Sequence, residues 1–143
     1  MMKKIDYKMI KRFFPAVFIL LMMGVLPSCN KQEGYGGKST IYGKVLERKY
    51  NNSGVFQNEY YISEKRVYIV FGDEDFYGDE VRTDFEGKYK FSFLYAGNYT
   101  IYTYSECSPV DPCDSGTKEI RINIKVLDNG DVVVGEDLVT ENW

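Results

Sequence analysis

Between residues 88 and 126, apolar and polar positions alternate with a period of two. Tyr89, Phe91 and Phe93 fall on one face of segment 88–94, with Lys88, Lys90 and Ser92 on the other. Ile120, Ile122, Ile124 and Val126 alternate with Arg121, Asn123 and Lys125 in the same way. That period belongs to half-buried β-strands, whose successive side chains point to opposite faces. Segment 65–71, KRVYIVF, is apolar in both phases and reads as a central strand. Further strands are expected at 40–47, 80–83, 98–104, 132–134 and around Leu138-Val139. Turn residues separate them: the FEGK stretch at 85–88, the Ala96-Gly97 pair, and Asn129-Gly130, a strong hairpin signal. No helical period is found beyond residue 29. The pattern predicts an all-β fold, a seven- to eight-stranded antiparallel sandwich over 40–143, with residues 48–64 as a long loop.

The N-terminal pattern is different. Lys3, Lys4, Lys8, Lys11 and Arg12 precede an uncharged apolar run from 13 to 27, and the run ends at Ser28 and Cys29. At about 15 residues the run falls short of the roughly 20 that a membrane-spanning helix needs. Residues 1–28 therefore read as a targeting segment, removed in the mature chain; the other reading is a retained N-terminal anchor. Leu26-Pro27-Ser28-Cys29 resembles the lipobox of bacterial lipoproteins, where cleavage precedes the cysteine and its sulfur receives a diacylglycerol. The resemblance implies that Cys29 is a lipid anchor, since acyl chains hold a domain to a bilayer by about 0.8 kcal/mol per buried CH₂. Residues 29–39, polar and glycine-rich, are expected to form a lipidated flexible tether.

Removing residues 1–28 takes away five basic and one acidic residue. What remains has 13 basic and 20 acidic residues, a net charge of −7. That balance excludes nucleic acid as a partner and disfavours electrostatic attachment to an anionic membrane. Cys107 and Cys113 are expected to pair in the oxidising compartment of an exported protein, shaping a protruding tip.

The middle of the chain resembles the carboxypeptidase regulatory-like, or transthyretin-like (prealbumin-like), β-sandwich family over about 65 residues. Ile41, Gly43 and Val45 match its I-x-G-x-V opening strand. Thr83, Asp84, Gly87, Tyr89 and Phe91 match a T-D-x-x-G-x-Y-x-F hairpin. Leu94, Gly97, Tyr99 and Ile101 match the following L-x-x-G-x-Y-x-I pattern. The resemblance implies a small, sturdy spacer or binding module and no reaction, because fold does not fix function.

Candidate chemistry is sparse. The chain has no histidine, so the usual neutral-pH base and triad member are missing, and no enzyme is expected. Asp73, Asp75, Asp79 and Asp84 carry spacing that half-matches a calcium loop, with Gly78 at its sixth position; the other reading is a solvated loop. No other cofactor is expected. Tyr102 and Tyr104 fall in the outward phase, and Tyr60-Tyr61 lie in the 48–64 segment. Tyrosine suits protein or sugar contact, although cross-strand packing would use the same rings.

The lipobox, tyrosine content and sandwich pattern together resemble small outer-membrane lipoproteins of Bacteroidetes-type bacteria. By that resemblance the chain is expected on the outer membrane, at the cell surface more than the periplasmic face. It would be a non-enzymatic accessory module docking an outer-membrane protein partner. The alternative is a ligand-binding module for glycan or Ca²⁺.

Overall fold

A computed structural model describes residues 32–143. The targeting segment, Cys29 and the first residues of the expected tether lie outside the described residues. Nine strands follow in order: β1 (Tyr35–Tyr50), β2 (Phe56–Tyr61), β3 (Arg66–Phe71), β4 (Asp79–Arg82) and β5 (Lys88–Leu94), then β6 (Gly97–Glu106), β7 (Thr117–Val126), β8 (Val132–Val134) and β9 (Leu138–Asn142). They build two sheets in a sandwich-like arrangement, and no helix occurs among the described residues.

β1 is the spine of the first sheet. Antiparallel β5 and parallel β8 flank its N-terminal half; antiparallel β2 and parallel β9 flank its C-terminal half. The second sheet runs β4-β3-β6-β7 and is antiparallel throughout. Between the sheets, Ile41, Val45, Phe91 and Leu138 from the first meet Val67, Ile69, Tyr99 and Ile101 from the second. These are the inward-phase residues of alternating strands, so the period-two pattern and the core agree.

The I-x-G-x-V and T-D-x-x-G motifs turn out to be fold-building. Gly43 pairs with Tyr89, and a Cβ at Gly43 would stand 2.4 Å from the Tyr89 hydroxyl, so glycine lets that ring cross β1 into the core. Buried Thr83 donates its Oγ1–H to the Ile62 carbonyl at 2.6 Å and accepts from the Lys65 amide at 3.0 Å. Asp84 Oδ1 accepts from the amides of Glu86 and Lys88 and so closes the β4–β5 turn.

Several expectations are corrected. The strand expected at 40–47 begins at Tyr35, so residues 35–39 of the expected tether belong to the sandwich. Glycine there serves close approach: a Cβ at Gly37 would stand 2.0 Å from the Leu94 carbonyl oxygen. Residues 48–64 form a β-hairpin extension of β1 and β2 in place of a long loop, which brings the strand count to nine. The sandwich is not wholly antiparallel. The Asn129-Gly130 turn delivers β8 to β1 instead of folding it back on β7, and β8 and β9 then run parallel to β1. Side-chain period carries no information on strand direction. Phe93, in the inward phase by alternation, takes φ 63° and turns into solvent, while Leu94 fills the buried position.

Candidate functional site

The outward phase of the second sheet carries a cluster of tyrosines. Tyr68 on β3 pairs with Tyr102 on β6, which pairs in turn with Arg121 on β7. The Tyr68 and Tyr102 rings stack at 5.0 Å between centroids and 18° between planes. The Arg121 guanidinium lies 5.0 Å from the Tyr102 ring centre, a cation–π contact. Tyr102 is thereby 6% exposed although it belongs to the outer face. Tyr77, from the β3–β4 connection, meets Tyr68 edge-on at 5.0 Å, and Tyr104 stands nearly perpendicular to both Tyr68 and Tyr102 at 5.8 Å. Tyr77 and Tyr104 remain exposed.

Charged pairs rim this cluster. Arg66 faces Glu80 at 3.9 Å, Arg82 faces Glu64 at 3.4 Å, and Arg121 pairs with Glu119. Each arginine has a carboxylate, so the face carries hydrogen-bonding groups with little net field. In the next row Thr100 donates to Asn123 Oδ1 at 2.9 Å. Burial, with help from Tyr104 and Glu119, pushes the Tyr102 hydroxyl up to about 12. Burial and the Glu119 hydrogen bond also raise Tyr104, whose hydroxyl donates to that carboxylate at 3.2 Å. Both stay protonated at neutral pH, available as donors and acceptors and unsuited to proton abstraction.

Tyr60 and Tyr61 lie on β2 and do not join this cluster. The Tyr60 hydroxyl donates at 2.8 Å to Glu47, a buried carboxylate that also has Lys65 Nζ at 3.8 Å. Tyr61 donates to Asp137 at 3.0 Å, and Lys44 Nζ lies 4.2 Å from its ring centre. Both hydroxyls are engaged within the molecule.

The four aspartates suggested for calcium do not converge. Asp79 accepts from the Tyr35 hydroxyl and the Glu80 amide, and Asp84 is used in the β4–β5 turn. Among the described residues no group of three or more His, Cys, Asp or Glu side chains could hold a metal ion. Cys107 and Cys113 form a disulfide, with Cα atoms 6.0 Å apart, at the tip between β6 and β7. Cys29 lies outside the described residues.

Sequence reasoning missed Tyr68, Tyr77 and Arg121. Tyr68 was visible only as the odd-phase member of KRVYIVF, and its neighbours depend on cross-strand register that one chain does not display.

The class that the described residues define is an all-β, two-sheet sandwich with a tyrosine cluster on one outer face. No family model matches the chain, and no curated protein matches it. Among solved structures it is similar to a "putative carbohydrate binding protein" from Pseudomonas aeruginosa. That similarity has 16% identity and a TM-score of 0.45, over 82% of this chain and 100% of that one.

Proposed function

We propose that the chain is a membrane-anchored, non-enzymatic binding module whose tyrosine face on the second sheet takes an uncharged glycan. The observation that carries this reading is the face itself. A packed Tyr68–Tyr102–Arg121 row supports two exposed rings, Tyr77 and Tyr104, amid paired arginines and glutamates. A sugar is bound by an aromatic ring under its C–H face and by directional hydrogen bonds to its hydroxyls, and both are supplied here. Because the rim charges are paired, the face favours a neutral chain over an acidic one. Tyr102 is a support for the exposed rings, its own faces being covered by Tyr68 and Arg121.

The wider setting belongs to the same reading. Cys29 carries the lipid, the domain sits at the outer-membrane surface, and the sandwich is of transthyretin-like type; the structural roles of Gly43, Thr83 and Asp84 support that last assignment. Docking to an outer-membrane protein partner is the second reading. It is favoured by a separate apolar apex, where Trp143 stacks on Tyr50 at 4.2 Å beside exposed Val55 and Phe56.

Titration calorimetry against a panel of soluble neutral and acidic polysaccharides tests the glycan reading. The expected result is binding to a neutral member that drops at least about tenfold in Tyr104→Ala and Tyr77→Ala, a loss of about 1.4 kcal/mol or more. Binding to none of the panel, together with stoichiometric capture of one membrane protein through the Tyr50–Trp143 apex, transfers the conclusion to the second reading.

A further inference from the structure

Three large apolar side chains stand in solvent at one end of the sandwich, and the chain enters the domain at that same end. Gly34 is buried there, donating to the Tyr99 hydroxyl at 3.2 Å and accepting from the Tyr95 amide at 2.9 Å. Glu33 lies against two glycines: a Cβ at Gly97 would stand 2.3 Å from its Cγ, and one at Gly72 3.1 Å from its Oε2. Gly72 opens the β3–β4 connection. Gly97 opens β6 and pairs with Val126, the last residue of β7. The β3–β4, β5–β6 and β7–β8 connections therefore surround the entry point.

Each carries or adjoins an exposed apolar residue: Phe76 is 81% exposed, Phe93 71% and Leu127 71%. The opposite end holds the disulfide loop and the C-terminus, where the Trp143 amide donates to Glu106 at 2.7 Å.

We infer that the entry end seats on the lipid surface, with Phe76, Phe93 and Leu127 in the boundary between headgroups and acyl chains and the disulfide loop pointing away. The inference rests on the lipid anchor at Cys29 proposed above. Three peptide steps separate Cys29 from Gln32, spanning at most about 11 Å. A leash that short holds the entry end against the bilayer and gives the three apolar tips an occupant, the interfacial region into which such residues partition. Glu33, Asp73, Glu74 and Asp75 share this end, so the surface it suits is zwitterionic; added anionic lipid weakens the contact.

Trp143 is the chain's one tryptophan and lies at the far end, which makes the native chain its own control. The full lipidated chain is reconstituted into phosphatidylcholine vesicles with and without brominated acyl chains. Phe76→Trp and Leu127→Trp, each in a Trp143→Phe background, carry the reporter to the entry end. The expected result is fluorescence at least about twofold lower in brominated vesicles for both variants, with native Trp143 unchanged, as interfacial burial of 5–10 Å implies. The mass of the mature chain is read on the same samples. A lipidated Cys29 with no quenching at 76 and 127 beyond that of Trp143 overturns the seating and leaves the anchor standing. An unmodified Cys29 overturns both.

Discussion

Thr83 shows how much of this fold is held by single polar side chains. Its hydroxyl is buried, and it joins the Ile62 carbonyl to the Lys65 amide across the β2–β3 connection. Thr83→Val keeps the shape and leaves both backbone groups unsatisfied. A loss of about 1–3 kcal/mol is expected in urea unfolding at unchanged m-value, with Thr83→Ser close to wild type. Tyr102 gives a prediction in pH. Its hydroxyl is pushed from the usual 10 up to about 12, chiefly by burial, so the folded chain holds a proton that the unfolded chain releases first. The stabilisation is fully present below pH 10 and is lost as pH rises from 10 through 12. Thermal melts between pH 9 and 12 should show that decline in the wild type and a shallower one in Tyr102→Phe. Some slope will persist, because burial raises Tyr89 and Tyr99 as well. An equally steep decline in Tyr102→Phe would remove Tyr102 from the account. At this scale Asp84 was legible from its own turn, and Gly43 and Thr83 only from the family resemblance of the motifs they stand in, because their partners Tyr89, Ile62 and Lys65 lie on other segments. Tyr68 and Arg121 were not, because their roles arise only when β3, β6 and β7 come into register.

Among the elements, the Cys107–Cys113 tip is the most separable. The ring it closes holds seven residues, for which chain entropy alone gives about 2 kcal/mol. The tip is also held by the Cys107 amide on the Gly116 carbonyl at 3.1 Å and by the Ser108–Asp111 bridge, and the β6–β7 ladder continues for ten residue pairs beyond it. Replacing both cysteines by serine is therefore expected to lower Tm by about 5–10 °C and leave a single cooperative transition. Proteolytic nicking should appear first within residues 107–116. Cleavage elsewhere first would show that the bridge holds more than its own loop. The strands themselves were largely readable, since alternation marks β5 and β7 and turn residues mark their ends. β1 was not, at either end. Its first five residues have the glycine-rich composition of a linker, but those glycines are used for close packing on Leu94 and Tyr95. Its last three residues, Arg48 to Tyr50, were hidden because their partner β2, FQNEYY, is exposed along its whole length and so lacks the apolar alternation that identifies a strand. The parallel placement of β8 and β9 was beyond reach for a related reason: direction is decided by how the chain crosses between sheets, and no single segment records it.

For the molecule as a whole, the decisive quantity is charge beside lipid. Residues 29–143 hold 13 basic and 20 acidic residues, so an anionic bilayer repels the domain, more strongly as salt is lowered. In the proposed seating, three apolar side chains at the entry end would orient a domain already tethered at the surface without holding it there against that repulsion. The proposed acyl chains on Cys29 are left as the retaining force, and their hydrophobic contribution is indifferent to screening by salt. The two terms predict different membrane retention for two chains, at low salt and at high salt alike. The wild-type protein should stay with membranes through washes at both low and high ionic strength. Cys29→Ala, carried behind a leader that is cleaved without lipidation, should appear in the soluble fraction under both, least retained at low salt, while its urea unfolding matches that of the wild-type domain. Fractionation followed by immunoblotting reads this directly. If Cys29→Ala stays on membranes at low salt and leaves at high salt, a charged protein partner is holding it, and the acidic surface of the sandwich becomes the place to look for the contact.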